Sequence, residues 1–255
     1  MDEKKFFYEE NKDCYGIFRQ PEKVFNSDVL LVFIHGGFWR EKVTTDYLSP
    51  LVEQVTNQGF YTWQFEYKRV TPQYSASEIL ESVSKALQCG EEIALHRELG
   101  IKKMILIGHS VGAQLAVYLT KEPPISKMKI SKLILLAGVL DFQVMEAVHQ
   151  SKEQMKNIQE NPIQDFLRDE YEMLFSKLSP INQLPLAVPQ ILIHGNMDIE
   201  VPFGLSQHYY ERAKALGEEI QLIEDSGGEH YWMVDIQTIH GKNVLSEIVN
   251  STNDI

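Results

Sequence analysis

The 255-residue chain is 44% hydrophobic and 24% charged, the balance of an ordinary soluble globular protein long enough for one large domain with a real core. Its 36 acidic and 24 basic side chains leave a formal charge of −12, which repels nucleic acid and anionic membranes, so neither is an expected partner. No apolar stretch reaches the roughly 18 residues of a membrane helix, the opening segment lacks the apolar core of a signal peptide, and Cys14 and Cys89 match no metal or redox spacing, so a reduced cytoplasmic location is expected.

Along the chain, short apolar runs alternate with helical patterns. Val29 to Ile34 is a continuous β-branched run, as in a strand buried on both faces. Thr44 and Thr45 can cap a helix with Leu48, Leu51, Val52 and Val55 on one side, and Gly59 can end it. Phe60 to Phe65 is the next strand. Ser77 can cap a second helix striped by Ile79, Leu80, Val83, Leu87 and Ala94, with Gly100 beyond it. Met104 to Ile107 is a strand, and Val111 to Thr120 a helix stopped by Pro123 and Pro124. Leu133 to Leu136, Gln190 to Ile193 and Glu219 to Ile223 are further strands. Leu205 to Leu216 and about Gln237 to Val249 are helical. This alternation predicts right-handed βαβ crossovers in one α/β domain over 1–255: a mostly parallel sheet with helices on both faces. Residues 141–180 interrupt it. They are polar and helix-prone, broken at Asn161-Pro162, and are expected to form a small helical insertion, either a lid or an elaborated crossover.

Gly108-His109-Ser110-Val111-Gly112 is a G-x-S-x-G sequence between an apolar strand and an amphipathic helix. A turn that tight forces Ser110 into a strained backbone and lifts its hydroxyl clear of the sheet, above a helix N-terminus that favours negative charge. The plainer alternative is a serine that only caps the helix. After the first of these strands comes His35-Gly36-Gly37-Phe38-Trp39. Adjacent glycines let backbone N–H groups point into a site, as an oxyanion hole needs. Gly37 and Phe38 are candidates for one half and Val111 for the other; His35 is expected to hold the loop by hydrogen bonds.

A serine hydroxyl needs a base to take its proton. Asp198 lies just past the strand ending at Ile193, where catalytic groups gather, with Glu200 and Asp141 as rivals. Of the histidines after it, His208 falls inside a helix and His240 deep in the C-terminal segment. His230 lies in the loop Ser226 to Trp232, from which it can reach both Ser110 and Asp198. Phe38, Trp39, Tyr67 and Trp232 fall near the carboxyl edge of the sheet; the last three are expected as substrate-binding aromatic walls.

Together these segments resemble the α/β-hydrolase superfamily from about Val29 to Trp232. His35-Gly36-Gly37-Phe38-Trp39 is similar to the H-G-G-x-W motif of kynurenine formamidases (arylformamidases), which hydrolyse N-formylkynurenine, and of related bacterial carboxylesterases. Hormone-sensitive-lipase-like enzymes usually have a third glycine at the position of Phe38, so that branch fits less well. Ser110, Asp198 and His230 match the superfamily's triad one by one. The resemblance implies a serine hydrolase acting on a small ester or amide, with no metal or organic cofactor and a homodimer as one possible assembly. A ligand-binding protein on a hydrolase scaffold and a peptidase are the alternatives.

Overall fold

A computed structural model describes residues 1–124, 126–156 and 161–253. Its strands are β1 (Asp2–Phe7), β2 (Tyr15–Gln20), β3 (Asn26–Ile34), β4 (Phe60–Phe65), β5 (Lys103–His109), β6 (Lys129–Leu136), β7 (Gln190–Gly195) and β8 (Ile220–Asp225). They form one sheet in the order β1-β2-β4-β3-β5-β6-β7-β8. β1 and β2 are antiparallel, as are β2 and β4. From β4 to β8 every neighbouring pair is parallel, which brings the carboxyl ends of these strands to one edge.

Alternate residues of the buried strands feed two cores, as a period of two requires. Val29, Leu31 and Phe33 of β3 face α1 (Ser49–Asn57) and α9 (Ile239–Asn253) through Leu51, Val52, Val55, Val244 and Ile248. Leu30, Val32 and Ile34 face the other core, which takes in α2 (Ala76–His96), α3 (Val111–Lys121) and α8 (Gly204–Ala215). α4 (Phe142–Lys156), α5 (Pro162–Leu167), α6 (Tyr171–Leu178) and α7 (Pro180–Gln183) occupy the expected insertion, and Phe142, Ile163, Phe166 and Leu174 join this second core. Residues 157–160 of that insertion lie outside the described residues. Among the described residues no helix is long and apolar enough to cross a membrane.

Two helix starts differ from the sequence expectation. Ser75, not Ser77, caps α2: its hydroxyl accepts from the Glu78 N–H while the Glu78 carboxylate accepts from the Ser75 N–H, a reciprocal box closed to Ser77 because Leu80 stands three residues after it. Neither Thr44 nor Thr45 caps α1, because a 3₁₀ turn over Thr45–Leu48 precedes it. The antiparallel edge strands β1 and β2 were not anticipated. β2 carries Gly16, where a β-carbon would lie 2.2 Å from the Trp63 ring, so the absence of a side chain lets β2 close on β4.

Candidate active site

β5 passes into α3 with only Ser110 between them. Ser110 has φ 58° and ψ −122°, a conformation an L-residue holds only where its surroundings impose it. They do so through the flanking glycines. A β-carbon on Gly108 would lie 2.3 Å from the Gly112 carbonyl oxygen, and one on Gly112 2.1 Å from that of Ile34. The Ser110 N–H donates to the Leu136 carbonyl (2.9 Å), pinning the turn to β6. The Ser110 side chain makes no capping bond to α3, so its hydroxyl is not occupied as a helix cap.

The loop after β3 lies flush against this serine: a β-carbon on Gly36 would be 2.7 Å from that of Ser110. Gly37, Phe38 and Trp39 follow with φ of 103°, 51° and 58°. Three successive left-handed residues, two of them bulky, are a local strain held by tertiary contacts. Val111, the first residue of α3, has an N–H with no helical partner. His35 is buried and secures the loop as expected, through Nδ1 to the Gly36 carbonyl (2.8 Å) and Nε2 to Glu66 Oε1 (2.7 Å). Glu66 also accepts from the N–H groups of Thr45 (3.0 Å) and Tyr67 (3.2 Å). Burial pushes the Glu66 carboxyl up, but His35 and Arg69 beside it hold it below its ordinary value.

Two of the expected substrate walls are corrected by their burial. Trp39 is fully buried, stacked on Phe166 with centroids 4.3 Å apart, because its positive φ turns the indole back into the core. Tyr67 is also fully buried. It stacks on His35 (4.3 Å) and donates its hydroxyl to the His35 carbonyl (3.0 Å). Both brace the glycine loop from behind. Trp232 is 43% exposed and stacks on His240 (5.7 Å). Its neighbour Tyr231, half exposed, is the ring that meets His230, at 5.1 Å. Phe38 is half-buried, edge-on to His149 of α4 at 5.2 Å.

Asp198 and His230 meet as expected. Asp198 Oδ2 lies 2.6 Å from His230 Nδ1, and Oδ1 accepts from the N–H groups of Glu200 (2.8 Å) and Val201 (2.9 Å). His194, which the sequence reading passed over, adds a contact from Nε2 to Oδ2 (3.2 Å), its Nδ1 facing the Ser206 hydroxyl (2.7 Å). Burial pushes the Asp198 carboxyl up, yet the bonds from His194 and His230 outweigh it and hold the group well below the usual carboxylate range. The rivals are engaged elsewhere. Glu200 pairs with Lys152 (3.6 Å), while Asp141 caps α4 and meets His208 (3.3 Å). His240 pairs with Asp225 (2.8 Å).

His109, the residue before Ser110, brings the two halves together: its Nε2 lies 3.1 Å from the His230 carbonyl and the two rings 4.7 Å apart. His230 Nδ1 is committed to Asp198, and its Nε2 makes no hydrogen bond among the described residues. In substrate-free enzymes such bonds are often long and tighten only when substrate arrives.

Strand order, strained serine, glycine loop and buried acid–histidine pair together define an α/β-hydrolase fold. The chain belongs to the BD-FAE family, whose model matches residues 17–213. A kynurenine formamidase from Drosophila melanogaster is 27% identical over 144 residues, covering 53% of this chain and 45% of that protein, so the match spans less than half of its length. Among solved structures, esterase B from Lactobacillus rhamnosis superimposes with a TM-score of 0.83 at 14% identity, over 99% of this chain and 85% of that one. Thermogutta terrifontis esterase 2 with propionate bound gives 0.75 at 19% identity, over 98% and 93%. The same enzyme phosphonylated by sarin gives 0.74 at 18% identity, over 96% and 92%.

Proposed function

We propose that this chain is a serine hydrolase that cleaves small acyl or formyl esters or amides through an acyl-enzyme on Ser110. The observation that carries the reading is a buried Asp198–His230 pair at 2.6 Å, tied through His109 to the turn that holds Ser110 at φ 58°. In this reading Ser110 attacks the carbonyl carbon while His230 Nε2 takes the hydroxyl proton, and the new O⁻ is held by the N–H groups of Val111 and of Gly37 or Phe38. His230 returns the proton to the leaving oxygen or nitrogen as the bond to the acyl carbon breaks. Water, deprotonated by the same ring, then releases the acid and restores Ser110. Asp198, kept ionised, fixes the Nδ1–H tautomer and stabilises the imidazolium.

A compact acyl group and an aromatic leaving group suit a site whose oxyanion loop carries the half-buried Phe38 and whose His230 loop carries the half-exposed Tyr231. The fly relative's name, a formamidase, and the bacterial neighbours' names, esterases, point to the same reaction class from two directions. Rates on an aryl acetate, an aryl decanoate and N-formylkynurenine test the reading. The acetate is expected to turn over faster than the decanoate, and a faster decanoate contradicts the small-acyl assignment. Efficient cleavage of N-formylkynurenine selects the arylformamidase-like form; its absence selects the carboxylesterase.

A further inference from the structure

Tyr47 and His109 are absorbed by none of the roles above, yet they join the three loops of the site. The Gly36 N–H donates to the Tyr47 hydroxyl (2.7 Å), and that hydroxyl lies 2.7 Å from His109 Nδ1. His109 Nε2 lies 3.1 Å from the His230 carbonyl. Every direction in this chain is determined. A carbonyl oxygen only accepts, so Nε2 carries the proton; Nδ1 of the neutral ring then accepts, and the hydroxyl that accepts from Gly36 gives its own proton to Nδ1. The links run from the residue before Gly37, through the residue before Ser110, to the backbone of His230. His109 is buried. Burial, with the His230 ring beside it, pushes its imidazole well below the ordinary value, in the direction of the neutral form this pattern needs.

We propose that Tyr47 and His109 are positioning residues, a hydrogen-bonded strut that sets the spacing between the oxyanion loop, the Ser110 turn and the His230 loop. The inference rests on the roles given above to Ser110 and His230. Each loop leaves a different strand; the β3–β5 ladder joins the bases of the first two at Ile34 and Gly108, and the strut adds a side-chain link that reaches beyond them to the His230 backbone. Displacement of reacting groups by about 1 Å costs roughly 10²-fold in rate, so removing the strut is expected to lower kcat rather than raise KM.

The test has two arms. ¹⁵N-histidine NMR reads the tautomer directly, whether or not the protein hydrolyses anything. His109 is expected as the neutral Nε2–H form from pH 5 to 9, and the Tyr47→Phe substitution, which deletes one oxygen, is expected to shift its Nδ1 resonance. An Nδ1–H form, or a spectrum unmoved by Y47F, overturns the strut. In kinetics on an aryl acetate, Y47F and H109F are each expected to lower kcat about 10- to 100-fold with KM within about twofold. His109→Gln, whose amide can accept from Tyr47 and donate to His230, is expected to restore kcat to within about threefold of the parent, an outcome that loss of packing alone does not predict. Parental kcat in Y47F, or an H109Q as damaged as H109F, refutes the proposal. A parent protein that shows the predicted tautomer but cleaves no ester or formamide refutes the hydrolase reading and leaves the strut standing.

Discussion

Two buried histidine–carboxylate pairs lie on loops next to the Ser110 turn, and their surroundings differ. At the end of β3, His35 meets Glu66 at 2.7 Å; between β7 and α9, His230 meets Asp198 at 2.6 Å. The distances and the burial are alike. The difference lies in the second ring nitrogen. His35 Nδ1 is spent on the Gly36 carbonyl, so the ring is a bracket with nothing left to exchange a proton. His230 Nε2 has no such bond among the described residues, and the His230 backbone is tied to His109, the residue before Ser110. The carboxylates differ in the same sense. Glu66 gathers contacts from Thr45, Tyr67 and Arg69 and anchors a loop. Asp198 is held by two backbone N–H groups on Oδ1, leaving Oδ2 to His230 at 2.6 Å with His194 behind it at 3.2 Å. A histidine–carboxylate pair is therefore informative about chemistry only when one ring nitrogen remains available.

Substitutions can break this contrast. The largest effects are expected at the proton-exchanging pair and its target. Ser110→Ala and His230→Ala should each lower kcat by about 10⁴-fold or more on a folded protein, and the double variant should lose little further, because the residues act as a unit. Steady-state rates with circular dichroism as the folding control check this. Asp198→Asn should follow, with a loss of about 10³- to 10⁴-fold from the wrong tautomer of His230. His35→Ala should behave in the opposite manner. Leaving Glu66 buried without its ring is expected to cost about 3 kcal/mol of stability, seen as a lower urea midpoint. The kcat of the molecules that remain folded should fall far less than in His230→Ala. Equal kcat losses in the two histidine variants would erase the distinction.

A smaller effect concerns pH. His149, on α4 beside Phe38, has its imidazole pushed down to about 4 by burial and by Lys152 and Arg40. Because its folded value is depressed, protons bind the unfolded chain first, and stability is lost as pH falls from about 6.5 toward 4. His149→Phe should flatten that part of the stability profile in urea titrations between pH 7 and pH 4.

Much of this was legible in the sequence, and the reasons are local. The strand Phe60–Phe65 coincides with β4, and Ser110, Asp198 and His230 are marked by the G-x-S-x-G motif, by their places after strands and by their order in the chain. Such runs have a continuous apolar signature and sharp ends. β1 has none: Asp2–Phe7 is mostly exposed and polar and pairs on one side only, so it has no apolar run to mark it as a strand. The aromatic assignments failed for a different reason. Sequence places Trp39 and Tyr67 at the sheet edge but not the sign of φ that turns Trp39 inward, nor the His35 ring that covers Tyr67. Glu66 did leave a signal, a carboxylate directly after a strand buried along its whole length. Tyr47 left none, since it acts through His109, 62 residues away in the chain; His194 and Tyr231 lie close in sequence to Asp198 and His230, but only the folded loops show which way their rings turn.

The most direct test of the central claim is to react the protein with a fluorophosphonate and locate the adduct by peptide mass spectrometry. The account predicts a single phosphonylated residue, Ser110, and a labelling rate that collapses in His230→Ala but persists in folded His35→Ala. An adduct on another residue, or labelling of Ser110 that is indifferent to His230, would contradict it.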